Sequence, residues 1–285
     1  MNRLSLEKMV RLALEEDLGH GDITTEVIFG KERLPAGGVF LAKAPGVVAG
    51  FLVVTEVFRQ LDPAVQCRAL IVEGGRVRPG DKIGTISGPI QALLSGERVA
   101  LNFLQRLSGI ATKTARLVER VEGLPVRIVD TRKTIPGLRM LDKYAVRQGG
   151  GANHRFNLAD AVLIKDNHIA ACGSLTEAVQ RARNGIPHTM TIEVEVETEA
   201  QVREALAAGA DIIMLDNMDP AQMAAMVKLI AGRAVVEASG NVDEQNIREV
   251  AASGIDIISS GAITHSVAAL DISLDIEQGI SMSPG

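Results

Sequence analysis

TIEVEVETEAQVREALAAGADIIMLDN, Thr191 to Asn217, is the stretch on which the fold turns. Its opening residues alternate. Glu193, Glu195 and Glu197 share one face, and Ile192, Val194 and Val196 take the other, the period of a strand. Glu199–Ala208 then reads as a helix, and Ile212–Asn217 as a second strand carrying Asp216 near its end. Short strands alternating with helices imply a parallel sheet, because the helix carries the chain back to the same edge.

The unit recurs on both sides. Strands are expected at Val126–Thr131, Ala161–Asp166, Thr191–Val196, Ile212–Asn217, Ala234–Ser239 and Ile255–Ser260, with a further helix over Asp243–Ser253. This pattern predicts a barrel or a doubly wound sheet. No Gly-x-Gly-x-x-Gly follows the first strand, which weakens the dinucleotide-binding version.

Polar side chains gather at the carboxyl ends of these strands: Asp130 and Arg132, Lys165, the three glutamates, Asp216, Glu237 and Ser239, then Ser259 and Gly261. Barrel enzymes place their chemistry at that end. An unpaired charge inside a barrel costs on the order of several kcal/mol. Arg132, Lys165, Glu195 and Asp216 therefore need one another, water, a metal or a charged ligand. Ser239-Gly240-Asn241 and Ser260-Gly261-Ala262 precede expected helix starts, where small residues and backbone N–H groups suit an oxyanion. Acids on neighbouring strands suit ribose hydroxyls or Mg²⁺.

A cationic island coincides with the first two strands. Asp130–His168 holds seven Arg or Lys against four Asp, net +3 in a chain of formal charge -5. Such an island usually faces an anion. Its Arg, Lys and His side chains suit a second, carboxylate-bearing ligand. Arg139, Lys143 and Arg147 read equally well as a solvated basic face.

Before the repeats, Ser5–Leu18 reads as an amphipathic helix with Ser5 as N-cap and Gly19 as its stop; Gly19–Asp22 is a turn. Residues 37–90 break into short apolar stretches separated by Gly and Pro, with a helix near Val53–Leu61, and read as a separate small α/β domain. Glu97–Val121 is helical, with a kink expected at Ser108-Gly109 and Arg106 beside it, read first as a surface salt bridge. Leu270–Ile276 alternates as a half-exposed strand that leaves the barrel and pairs with the small domain.

Composition narrows the function. The chain has 285 residues, 46% hydrophobic, with six Phe, one Tyr and no Trp. Scarce aromatics argue against single-strand binding by base stacking, and the acidic balance argues against a nucleic-acid backbone binder. Cys67 and Cys172 lack metal spacing and read as reduced core thiols of a cytoplasmic protein. No apolar run reaches membrane length, and charges interrupt the N-terminus where a signal peptide would be apolar.

Several motifs together resemble the quinolinate phosphoribosyltransferase family, over essentially the whole chain: ERVALNFLQRLSGIAT, DTRKT, GGGANHR, LIKDNH, EVEVET, LDNM, EASGN and SSGAITHS. The resemblance implies an α/β fold, with an N-terminal α/β sandwich over 1–110, joined by a C-terminal strand at 268–285, and an incomplete, TIM-like α/β barrel over 111–267. It implies transfer of phosphoribosyl from phosphoribosyl pyrophosphate to quinolinate with decarboxylation, giving nicotinate mononucleotide, pyrophosphate and CO₂ in NAD biosynthesis.

It further implies that Arg132, His154, Arg155 and Lys165 hold the quinolinate carboxylates, and that Arg106 reaches them from a partner subunit of a homodimer or a higher assembly of dimers. Lys133 would contact phosphoribosyl pyrophosphate. Glu195 and Asp216 would face the ribose and Mg²⁺, the metal held through substrate and water. Ser239, Gly240 and Gly261 would line the 5′-phosphate, and Thr131, Asn241, Ser260 and Ala262 complete the substrate-binding set. Lys133, Lys165, Glu195 and Asp216 are the expected catalytic group. Two alternatives stay open: a related phosphoribosyltransferase or molybdenum-transport-associated relative with another acceptor, and a non-catalytic anion-binding barrel.

Overall fold

The computed structural model describes residues 1–240 and 242–278. The chain opens with α1 (Arg3–Leu18), α2 (Ile23–Phe29), β1 (Pro35–Ala42), β2 (Gly46–Val47), α3 (Phe51–Leu61), β3 (Gln66–Ala69), β4 (Arg76–Val77), β5 (Lys82–Pro89) and α4 (Ile90–Arg120). It continues through β6 (Arg127–Val129), α5 (Arg139–Gln148), β7 (Val162–Ile164), α6 (Asp166–Cys172), α7 (Leu175–Gly185), β8 (Ile192–Val196), α8 (Glu199–Ala208) and β9 (Ile212–Asp216). It ends with α9 (Pro220–Ile230), β10 (Val235–Ser239), α10 (Ile247–Ala252), β11 (Ile257–Ser259), α11 (Ala262–His265) and β12 (Ile272–Gln278). Two compact units result: residues 1–113, 135–150 and Val267 onward, and residues 114–134 with 151–266.

The first unit is built on an antiparallel sheet of order β12-β1-β5-β3. Alternation along residues 270–276 buries Leu270, Ile272 and Leu274 while Asp271 and Asp275 stay exposed, and β12 pairs along the edge of β1 from Ala42↔Ile272 to Ala36↔Gln278. α3 buries Phe51, Val53, Val54, Val57 and Phe58, with Phe40 and Phe51 meeting edge to face at 5.7 Å. The Glu73 carboxylate accepts the Gly50 N–H at 2.8 Å and the Leu52 N–H at 3.4 Å, so an acid on a distant loop caps this helix.

Several local expectations change. Asn2, not Ser5, caps α1: its side-chain carbonyl accepts the Ser5 N–H at 3.3 Å, which starts the helix two residues earlier. The Gly19–Asp22 turn leads into an unforeseen short helix, α2, capped by Asp22. That carboxylate accepts from the Thr25 hydroxyl (2.6 Å), the Thr25 N–H (3.0 Å) and the Ser95 hydroxyl (2.9 Å), which together hold its pKa below the ordinary value. Asp22→Ala should cost about 1 kcal/mol of stability, the usual loss for an N-cap. A denaturant melt of the two proteins checks it; an unchanged midpoint at neutral pH rejects the cap's contribution.

α4 begins at Ile90, seven residues before the expected start, and runs as one element through Ser108-Gly109. The glycine serves a close approach instead of a break: a Cβ there would lie 2.3 Å from the Ala268 carbonyl oxygen. Both cysteines are free and half-buried, not core; burial pushes the Cys67 thiol up to about 12.

The family boundary expected at 110/111 is a sequence division; by compactness the 135–150 segment stands apart from its neighbours in sequence. It belongs to the first unit although the barrel repeat surrounds it in sequence. α5 buries Leu141, Ala145, Val146 and also Asp142, which is fully enclosed. A buried carboxylate needs a cation, and Arg106 of α4 supplies one, with Nη2–Oδ2 at 2.9 Å and Nε–Oδ1 at 3.1 Å. On the same helix Lys143 is buried, Arg139 half-buried and Arg147 exposed, so only the last is a plain solvated charge.

The second unit holds six parallel strands in the order β6-β11-β10-β9-β8-β7. The first strand pairs with the last, as in a barrel, and Ala152 bridges Val129 on its free side. Among the described residues β7 ladders only with β8, so the cylinder is incomplete. The architecture is thus mixed α/β: an N-terminal sheet domain and a barrel-like parallel domain. β6, β7 and β11 have three ladder residues each instead of six, and Asp166 and Ala262 open α6 and α11 soon after two of them. Among the described residues no helix is long and apolar enough to cross a membrane.

Candidate active site

Alternation along β8 points Glu193 and Glu195 to the same side of the strand. Glu195 is half-buried and pairs with the Lys165 ammonium, which projects from the end of β7. Lys165 is fixed from behind, since its backbone N–H donates to His168 Nδ1 at 2.9 Å. On the next strand Asp216 is half-buried. Burial raises its pKa, Glu195 raises it further, and Lys165 and Lys133 only partly offset this. Lys133, Lys165, Glu195 and Asp216 therefore share one electrostatic neighbourhood, as their strand-end positions predict.

The loop after β10 is shaped against the same group. Ser239 pairs in register with Asp216, and the Asn217 N–H donates to the Ser239 carbonyl at 3.1 Å. Gly240 has φ +91°, and a Cβ there would sit 2.2 Å from Asn217 Oδ1. Only glycine meets both demands. Asn241 lies outside the described residues.

The DTRKT loop is tied down twice at Lys133. Its N–H donates to Thr131 Oγ1 at 3.0 Å, and its carbonyl accepts the Thr264 hydroxyl at 2.7 Å. Lys133 and Arg132 are themselves exposed. The Lys133 side chain lies against Gly261, at the start of α11 where Ala262 follows, and the Ser260 N–H donates to the Val129 carbonyl at 3.0 Å.

A second group sits below. Asp130 is fully buried and accepts the His154 N–H at 2.9 Å and the Asn153 amide at 2.6 Å. His154 Nε2 lies 3.2 Å from Glu193 Oε2 and 3.5 Å from Glu237 Oε1. Burial, and then the neighbouring Glu193, pushes Glu237 up to about 7. Arg155 donates to the Ala161 carbonyl at 3.1 Å. Its pKa is drawn down by burial and by the positive charge of Arg132. Glu193 and Asp160 partly offset this.

The sequence matches the family Quinolinate phosphoribosyl transferase, N-terminal domain, over residues 22–108, and its C-terminal domain over residues 110–275.

The chain belongs to the quinolinate phosphoribosyltransferase family.

Among its relatives is a Bacillus subtilis protein named a probable nicotinate-nucleotide pyrophosphorylase [carboxylating], 48% identical over 97% of this chain and 95% of the relative. The chloroplastic nicotinate-nucleotide pyrophosphorylase [carboxylating] of Arabidopsis thaliana is 41% identical over 98% and 85%. The crystal structure of NadC from Streptococcus pyogenes superposes with a TM-score of 0.94 at 44% identity, covering 98% of each chain. As a quinolinate phosphoribosyltransferase family member, the chain is a pentosyltransferase.

The described residues expected for this family site fall into two units. Thr131, Arg132, Lys133, His154, Arg155, Lys165, Glu195, Asp216, Ser239, Gly240, Ser260, Gly261 and Ala262 all lie in the barrel unit. Arg106 lies in the first unit, where Asp142 holds it. Two buried residues were absent from the expected set, Glu193 and Glu237. The strand alternation had placed both on the inward face, and what it lacked was the histidine between them. His154, Glu193 and Glu237 bring donor atoms within 4.8 Å of one another. A nitrogen and oxygen set of this kind suits Zn²⁺ better than Mg²⁺, yet a ring proton on His154 already accounts for the contacts.

Proposed function

We propose that this chain couples quinolinate to phosphoribosyl pyrophosphate and decarboxylates the adduct to nicotinate mononucleotide. The observation that carries the reading is the presence of the neighbouring Arg132 and Arg155 and of a Lys-rich carboxylate group, Lys133, Lys165, Glu195 and Asp216, with Lys165 paired to Glu195, in one barrel unit. One half suits the acceptor's carboxylates. The other suits a phosphorylated ribose.

The acceptor's ring nitrogen attacks C1 of the ribose as pyrophosphate departs, and positive charge develops on the sugar. Glu195 and Asp216 stabilise that charge, while Lys133 and Lys165 partly offset the rise in the Asp216 pKa and face the phosphate oxygens. The quaternised ring nitrogen is then an electron sink beside the C2 carboxylate. The C–C bond breaks, CO₂ leaves, and C2 takes a proton. The protein mainly holds two anions that repel each other in reacting geometry.

Mg²⁺ belongs to the proposal. Glu195 has one oxygen committed to Lys165, and Asp216 is half-buried, so the pair fits an ion held mostly by water and substrate oxygens. When bound, Mg²⁺ offsets the charge of the leaving pyrophosphate. A cytoplasmic homodimer completes the reading, with Arg106 entering the partner's site. The free cysteines suit a reducing compartment, and the Arg106 side chain, though paired with Asp142, keeps some exposure.

Pyrophosphate release measured with quinolinate or nicotinate as acceptor tests the function. Release that requires quinolinate is expected; a preference for nicotinate, or no turnover with either, overturns it. Mixing Arg106→Ala with Lys165→Ala subunits should recover activity that neither has alone. No recovery after proven subunit exchange rejects the shared site.

A further inference from the structure

His154 was expected to grip a carboxylate, but both of its ring nitrogens are engaged inside the protein. Nδ1 accepts the Arg155 N–H at 2.7 Å, so it carries no hydrogen. The ring proton then sits on Nε2, which faces Glu193 Oε2 at 3.2 Å and Glu237 Oε1 at 3.5 Å. Both glutamates are almost wholly buried, at 3% and 2% exposure. No hydrogen bond of ordinary geometry reaches the Oε1 atom of either. Enclosing such groups costs stability, and neither glutamate can reach solvent to relieve that cost. A fold keeps such a cluster when its geometry serves something.

What it holds is the Asn153–Arg155 turn. Asp130 grips the Asn153 side chain and the His154 N–H, while Glu193 Oε2 accepts from the imidazole and Glu237 packs beside it. Carboxylates from the ends or interiors of β6, β8 and β10 thus converge on a single loop. The next side chain along that loop is the Arg155 guanidinium.

We infer that Glu193 and Glu237 are positioning residues: through His154, kept as the neutral Nε2–H tautomer, they fix the turn that aims Arg155 at the acceptor's carboxylate. The inference rests on the dicarboxylate reading of the acceptor given above. Misplacing a positioned charge by about 1 Å can cost about a hundredfold in rate, so a strut of this kind is visible in kinetics.

Glu193→Ala removes the acceptor for Nε2–H. It should raise the quinolinate KM at least about tenfold while the phosphoribosyl pyrophosphate KM stays within about twofold. Glu193→Gln retains an acceptor oxygen, and its amide can donate to Glu237, so it should return the quinolinate KM to within about threefold of wild type. A parallel rise in both KM values, or no rescue by glutamine, overturns the inference. The alanine variant can fail to fold, so ¹⁵N NMR of the wild-type histidine rings, assigned with His154→Asn, gives a second readout. A neutral ring protonated on Nε2, unchanged on saturation with quinolinate, is expected; an Nδ1-protonated or doubly protonated ring, free or bound, overturns the inference. Wild-type protein that neither binds nor turns over quinolinate sinks the proposed function instead, while the free-enzyme tautomer still decides this one.

Discussion

Lys165→Ala should lower kcat/KM for the proposed reaction at least about a hundredfold, a loss of about 2.7 kcal/mol of transition-state stabilisation. The lysine does two things at once. It is the direct partner of Glu195, and it is one of two cations that keep Asp216 ionised against burial and against Glu195. Removing it leaves two carboxylates facing each other with Lys133 as the remaining cation near Asp216. One of them then tends to take up a proton, and the ribose loses a stabilising charge. The accompanying Glu195→Gln substitution separates the two effects. If the lysine acts mainly through its ion pair with Glu195, Lys165→Ala added to the Glu195→Gln variant should cost far less than it does alone. Steady-state rates for the four combinations, each checked for an unchanged melting temperature, measure this. A Lys165→Ala protein with wild-type kinetics would end the carboxylate and ribose roles together.

The second large effect is expected at Arg155. Arg155→Ala should raise the quinolinate KM by about ten- to a hundredfold, the range for a lost charge-assisted, partly buried contact. The reasoning runs through charge. The guanidinium is partly buried near Arg132, and burial and that neighbouring positive charge draw its pKa down, a balance that a carboxylate bound beside it would shift. Nicotinate carries one carboxylate fewer than quinolinate, so the variant should discriminate less between the two. Competition assays with both acids give the ratio directly. If Arg155→Ala weakens phosphoribosyl pyrophosphate instead, and leaves acceptor selectivity intact, the assignment of the two anion subsites is reversed.

Much of the barrel was legible because its signals are local. EVEVE alternates with the period of a strand, and Thr198 and Gly209 bound the following helix at Glu199 and Ala208. Strand-end charges stood out because apolar neighbours surround them. The first helix was read nearly whole, but its cap was misassigned, since Ser5 and Asn2 are both good caps and only the backbone path chooses. α2 was missed because seven residues carry too weak a periodic signal, and its N-cap is reinforced by Ser95, distant in the chain.

By itself the amino-acid order determined the strand–helix alternation, the inward face of each strand and the identity of most charged residues at the barrel mouth. These depend on side-chain period and turn chemistry, which act over a few residues. The tertiary structure alone decided which charges meet. Asp142 meets Arg106 from 36 residues away, and α5 groups with the first unit. His154 falls between Glu193 and Glu237, and Lys165 finds Glu195. A buried charge is tolerated only where an opposite partner or a hydrogen-bond donor reaches it, and that partner is set by how strands stack side by side. Spacing along the chain carries no record of it.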